Sequence, residues 1–155
     1  MNQSITTRLD ELGITLPQAA APVANYVPYL LSSGHLYVSG QLPMEGGAVK
    51  YAGRLGAELD VEAGAAAARL CAINLLAQTA AALGGNLDHV KQVVKMGGFV
   101  AATPEFTDHP KVINGASDLM VDIFGKTGRH TRFAVGCTSL PLGAAVEINA
   151  MFEVG

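Results

Sequence analysis

Apolar and polar residues follow two distinct rhythms along this chain, and the places where one gives way to the other predict its elements. Residues 26–31 and 35–40 are rich in β-forming side chains on either side of Ser32-Ser33-Gly34, which predicts a hairpin. Pro28 has no N–H for a ladder, which places the first run at a sheet edge or makes it begin late. Asp60 then stands where a helix cap belongs, and Glu62 suits the positive first turn. Ala66, Leu70, Ile73, Ala77 and Ala81 recur at spacings of three and four until Gly84-Gly85 ends the pattern. So many alanines on one stripe predict close approach to a sheet. Residues 90–102 are β-like, with Gly97-Gly98 marking a bulge. Asp108 and Pro110 open a second helix along Val112, Ala116, Leu119, Met120 and Ile123, ending at Gly125. Two strands follow, at 131–138 and 144–154. In the last, Val146, Ile148, Ala150 and Phe152 alternate with Glu147, Asn149, Met151 and Glu153, the clearest period of two in the chain. Residues 46–56 read as loop.

The order ββαβαββ predicts an α+β domain in which two helices cover one face of a mixed sheet. Its other face, with Met151 and small residues among polar ones, suits self-association. A chain of 155 residues is one ordinary domain. Residues 25–155 form it. Residues 1–24, with a short amphipathic turn at 7–12 and a Pro/Ala-rich continuation, read as an N-terminal docking arm.

Composition narrows the function. Half the residues are hydrophobic and 15% charged, which excludes a disordered chain. A net charge of -3, with 10 Lys+Arg and no basic run, leaves no footprint for phosphates, so nucleic acid is not the expected partner. Cys71 and Cys137 lie far apart without a CxxC and read as reduced, packed thiols, with no metal and no disulfide framework. The polar start lacks a signal-peptide pattern, and no apolar run reaches the roughly 20 residues of a membrane span. A cytoplasmic protein with no membrane association and no cofactor is expected. No phosphate loop, G-x-G-x-x-G, H-E-x-x-H or G-x-S-x-G occurs.

One constellation carries more. From Arg132-Phe133-Ala134 through Leu140-Pro141 to Val146-Glu147-Ile148-Asn149-Ala150, the chain resembles the C-terminal signature of the reactive intermediate deaminase (RidA/YjgF) family, also called the L-PSP endoribonuclease family. Upstream, Tyr26-Val27, Val38-Ser39-Gly40-Gln41-Leu42-Pro43, the alanine-rich helix and Asn114 continue the likeness over roughly residues 25–154. The resemblance implies a chorismate-mutase-like α+β fold of the bacillus type, and a homotrimer with a cleft at each subunit boundary. It also implies hydrolysis of reactive enamine or imine intermediates to a 2-keto acid and ammonia. By position, Arg132 would hold the carboxylate of a small ligand and Glu147 would orient the attacking water. Tyr26, Ser39, Gly40 and Asn114 would line the cleft, with backbone near Ala134 contributing.

The residues are chemically suited to this. A guanidinium is a planar fork for a carboxylate, and Ala134 and Gly136 leave room on its strand face. Taken alone, Arg132 reads as a surface residue and Glu147 as a solvated one; it is the signature around them that favours a ligand site. If the last two strands were a simple hairpin, Arg132 would face Met151, about 13 Å from the level of Glu147. The two would then flank one ligand or meet across chains. A carboxylate that positions water contributes about 10² to 10⁴ fold, enough for an iminium carbon that is already electrophilic.

Phe133 stands where the family commonly has a small hydroxyl residue, and Ala134 where it often has cysteine; alternation turns Phe133 toward the core. Activity on the usual small substrate is thereby left open. Two alternatives stand beside hydrolysis: a small-acid-binding trimer without turnover, and an endoribonuclease or translation inhibitor. Arg129 and His130 read as solvated loop residues, and His35, His89 and His109 have no metal or nucleophile partner.

Overall fold

The alternation in the last strand is realised in full: Val146, Ile148, Ala150, Phe152 and Val154 are buried, while Glu147, Asn149, Met151 and Glu153 turn the other way. The computed structural model describes residues 3–21 and 24–155, so residues 1–2 and 22–23 of the arm lie outside the described residues. In chain order the elements are α1 (Ile5–Glu11), β1 (Tyr29–Ser32), β2 (His35–Gln41), β3 (Met44–Glu45), β4 (Ala48–Val49), α2 (Val61–Ala82), β5 (Val90–Ala101), α3 (His109–Phe124), β6 (Thr131–Cys137) and β7 (Val146–Val154). Five strands form one sheet in the order β1-β2-β7-β5-β6, antiparallel except for the parallel pair β5–β6. The fold is thus a mixed α+β domain with a mostly antiparallel sheet.

Among the described residues it has three helices where two were expected. α1 is capped by Ser4 and packs on α3, and Leu9 and Ile14 enter the same core as the sheet. Residues 46–56 are not all loop, because β3 and β4 pair as a separate ribbon through Met44 and Val49. Gly97-Gly98 makes no bulge. The register of β5 against β7 runs unbroken from Lys95 to Val100, and its shifts lie nearer the strand start. The two glycines instead let side chains lie across the strand: Ile113 of α3 over Gly98, and the ring of Phe133 over Gly97.

β6 and β7 are consecutive in sequence yet do not form the hairpin considered above, because β5 lies between them. The connecting segment pairs elsewhere. Gly53 N–H donates to Gly143 C=O at 3.0 Å and Ala145 N–H to Tyr51 C=O at 3.0 Å, carrying the chain past β5 before β7 begins. Through Met96, Arg132 is therefore level with Ala150 and not with Met151.

α2 starts as expected, with Asp60 Oδ1 accepting from Ala63 N–H at 2.9 Å. Its buried face differs from most of the stripe read in the sequence: Ala67, Ala68, Cys71, Ala72, Leu75, Leu76 and Thr79 are buried, and of the stripe only Ala77 is, while Ala66, Leu70 and Ile73 are partly covered and Ala81 is exposed. A helix apolar on every side has no period to select its inner face. Among the described residues it is also long and apolar enough to cross a membrane by length and composition alone, but polar residues such as Arg69 and Gln78 interrupt it and half of the apolar window is buried in this core. Asp108 makes no side-chain cap to α3 and lies 3.6 Å from Lys111 instead.

Helices α2 and α3 cross where glycine replaces side chains. A Cβ on Gly64 would meet Leu55 and Val112, and one on Gly115 would overlap the backbone carbonyl of Ala65. Helix propensity alone favours alanine over glycine by about 1 kcal/mol. Backbone overlap reverses that sign, since neither helix can yield without repacking the core. Gly115→Ala is expected to destabilise the protein by about 1–3 kcal/mol in denaturant unfolding, where propensity alone would stabilise it.

Candidate functional site

β6 is an edge strand whose two faces meet different surroundings. Arg132, Ala134 and Gly136 turn toward α3, where space is short: His109 occupies the place a Cβ on Gly136 would take, and Ala134 packs on the core. α3 presents Asn114 and Ser117 one turn apart on the flank that meets the strand. Arg132 Nη1 donates to Asn114 Oδ1 at 2.7 Å and to Ser117 Oγ at 3.1 Å. Among the described residues no carboxylate forms an ion pair with Arg132. Its partners are neutral, so its positive charge is left for an anion.

Phe133 consequently faces away from the helices. This corrects the expectation that it turns toward the core: a strand side with room only for Gly136, Ala134 and an extended arginine sends the aromatic ring outward. There the ring lies edge-on to Phe99, with centroids 5.3 Å apart and planes at 73°, and Lys95 Nζ stands 5.8 Å from its centre.

Glu147 lies on that same open face. Its Cα partner is Phe99, and its carboxylate fills the space beside Gly40, where any Cβ would collide with it. Gly40 is therefore a close-approach position, created by the irregularity in β2 between Val38 and Gln41. Burial pushes the Glu147 carboxyl above the ordinary carboxylate range. Ser39 holds the preceding segment in place, its N–H donating to Pro28 C=O at 2.9 Å and its Oγ to Val27 C=O at 2.8 Å. Tyr26 is thereby kept at the rim of a cleft of about 580 Å³, lined also by Ser39, Tyr37, Lys95, Phe133 and Asn149. Leu30, Tyr37, Phe99 and Val135 leave this face strongly apolar and exposed.

The seven residues singled out in the sequence divide into two groups. Tyr26, Ser39, Gly40 and Glu147 share the open face; Arg132, Asn114 and Ala134 share the helix side of β6. Within one chain the groups do not meet. Arg132 aligns with Met96 and Glu147 with Phe99, three residues along β5 and one strand to either side of it, about 10 Å in each direction and on opposite faces.

Two residues join the Arg132 group that the sequence reading did not place there. Ser117 sits one turn beyond Asn114, a spacing that was the available signal. His130 is half-buried, with Nε2 2.9 Å from Ser117 Oγ, and so is not the solvated loop residue expected. Among the described residues no group of three His, Cys, Asp or Glu side chains could hold a metal ion. The cysteines are free. Burial raises both thiols, with the Glu147 charge adding to the effect, which leaves them poor nucleophiles.

Comparison with known proteins gives a consistent result. Residues 6–153 match the family described as "YjgF/chorismate mutase-like, putative endoribonuclease". Protein TCP17 of Trypanosoma cruzi is 51% identical over 151 residues, covering 97% of this chain and 94% of its own. A crystallised Agrobacterium tumefaciens protein of unknown function is 52% identical, with a TM-score of 0.92 over 97% of this chain and 92% of its own. A protein from Shewanella oneidensis, described in the family's terms, is 36% identical with a TM-score of 0.94 over 98% and 100% of the two chains. With nearly its whole length matched in sequence and in fold, the chain belongs to the YjgF/chorismate-mutase-like family.

Proposed function

We propose that this chain is a hydrolytic deaminase of reactive enamine and imine intermediates, working in the cytoplasm as a homotrimer whose sites lie between subunits. The observation that carries the reading is the separation of Arg132 from Glu147 onto opposite faces of one sheet. A small imino acid cannot touch both within a single chain. A second copy seated on the apolar open face would bring its own β6 edge, with Arg132, beside the first copy's Glu147.

In such a site Arg132 holds the substrate carboxylate, and Asn114 fixes the guanidinium. Tyr26, Ser39 and Gly40 shape the opposite wall, and the strand backbone near Ala134 borders the ligand. Glu147 takes a proton from water as its oxygen bonds to the iminium carbon. Glu147 then returns that proton to the nitrogen of the resulting carbinolamine, and the carbon–nitrogen bond breaks as the hydroxyl gives up its proton, leaving the 2-keto acid and ammonia. A carboxyl raised by burial is a better proton acceptor at neutral pH than an ordinary one. The iminium carbon supplies the electrophile, so the step needs no further nucleophile.

Binding of a small carboxylate without turnover is a second reading, favoured by Phe133, whose ring covers Gly97 at the cleft wall. Nuclease action has less support, since the net charge is -3 and the open face is apolar.

Arg132→Ala is expected to raise KM for imino acids generated in situ, and Glu147→Gln to lower kcat by about a hundredfold. The two impaired variants, unfolded together and refolded as a mixture and assayed at low substrate, should recover wild-type sites at about a quarter of the subunit boundaries, because each boundary takes one group from either side. No recovery would place both groups in one chain and defeat the reading. Retained 2-keto acid binding by the wild type with no hydrolysis would select the second reading.

Glu147 also sets a pH dependence of stability. Its folded-state carboxyl ionises less readily than in the unfolded chain, so the ionised form opposes folding, and the penalty disappears as pH falls below the ordinary carboxylate range. Thermal scans should show Glu147→Gln melting above the wild type at about pH 7 and level with it at about pH 3.

A further inference from the structure

The polar cluster behind Arg132 has a fixed direction. His130 Nδ1 lies 2.6 Å from the Gly128 carbonyl oxygen, and Nε2 lies 2.9 Å from Ser117 Oγ. A carbonyl oxygen only accepts, so Nδ1 carries the proton. In the neutral ring Nε2 is then a bare acceptor, and the Ser117 hydroxyl donates to it. With its proton committed, Ser117 Oγ offers only lone pairs on its remaining side, where Arg132 Nη1 stands at 3.1 Å.

The second Nη1 proton goes to Asn114 Oδ1 at 2.7 Å. Both protons of that nitrogen are thus used within the chain. Among the described residues Nε and Nη2 make no hydrogen bond. Their two parallel N–H groups form the edge of the guanidinium that matches a carboxylate in bidentate fashion.

The far end of this relay is held by packing. Gly128 lies so close to α3 that a Cβ there would overlap the backbone of Met120 and Val121, and Thr127 Oγ1 donates to Phe124 C=O at 3.0 Å within the same turn. The Gly128 carbonyl therefore keeps its place, which fixes the ring orientation of His130 and with it the polarity of Ser117. Ser117 has the spacing of a serine–histidine nucleophile, but its oxygen is engaged on both sides by His130 and Arg132.

We propose that Ser117 and His130 are positioning residues for Arg132, a relay from the Gly128 carbonyl that ties up Nη1 and presents the Nε–Nη2 edge to the ligand carboxylate. The proposal rests on the reading of Arg132 as the carboxylate anchor. It separates two jobs that one guanidinium performs: one nitrogen belongs to the protein, and one edge belongs to the ligand.

The test is calorimetric binding of 2-oxobutanoate to the full chain, with uncharged 2-oxobutanamide as the comparison ligand. Ser117→Ala and His130→Leu are expected to weaken the keto acid about tenfold and the amide hardly at all. Ser117→Thr keeps the hydroxyl, and His130→Gln keeps an acceptor near the Nε2 position; both should bind the keto acid within about twofold of wild type. With imino acid substrates the first pair should raise KM while kcat stays near the wild-type value.

If Arg132→Ala weakens 2-oxobutanoate while Ser117→Ala and His130→Leu do not, the relay is overturned and the anchor stands. If Arg132→Ala binds as the wild type does, the anchor falls and the relay with it. Equal loss of both ligands in Ser117→Ala would mark a merely structural role and overturn the proposal. Should His130→Leu fail to fold, the contrast between Ser117→Ala and Ser117→Thr reads the same relay from its other end.

Discussion

The rest of the structure depends on how closely α3 lies against the sheet and against α2. At its closest contacts glycines stand on one side: Gly98 under Ile113, Gly136 beside His109, Gly115 of α3 itself on the Ala65 carbonyl of α2, and Gly128 on the Met120 backbone. Such contacts exclude bulk from the helix side of β6 and leave room there for one extended side chain along the flank of the helix. Arg132 takes it. The same exclusion sends Phe133 to the open face, so the two most consequential neighbours on β6 face opposite surroundings because of a packing distance set several residues away.

The second determinant is the position of β5. As the longest strand, with neighbours on both sides, it separates β6 from β7 and keeps the guanidinium and the half-buried carboxylate apart. Each group then has its own local support. Arg132 is held by neutral acceptors that leave its charge unspent, and Glu147 is held against Gly40 where burial disfavours its charge. A desolvated carboxylate and an unpaired guanidinium are both unfavourable for an isolated chain and favourable for a site that takes up an anion and a proton. In the proposed function the apolar open face is the physical motive for bringing copies together, so that the two unfinished halves meet.

Much of the chain could be read directly. The β7 period, the Asp60 cap, the Ser33-Gly34 turn and the extents of α2 and α3 are local matters, governed by neighbours within four residues, and each is found where the pattern puts it. Errors arose where a local pattern was silent. α2 is apolar all round, so its inner face was chosen by what packs on it. Gly97-Gly98 reads as a bulge because glycine in a strand signals either a kink or a close approach, and only the positions of Ile113 and Phe133 decide between them.

The candidate site shows the same division. Its residue types and their order along the chain were legible, since Arg132, Leu140-Pro141 and Glu147 stand in the order and spacing that carry the family resemblance. Which of them touch was not. Strand order is a property of the whole sheet, fixed by pairings such as Gly53 with Gly143, and the face to which Phe133 turns depends on the space beneath α3. Nor could spacing join Ser117 to His130, which lie on different elements and meet only when α3 settles on the edge of the sheet. The sequence by itself determined the elements and their chemistry, because those arise from neighbours along the chain; the tertiary structure decided faces, partners and separations, because those are settled by the volume left between packed elements.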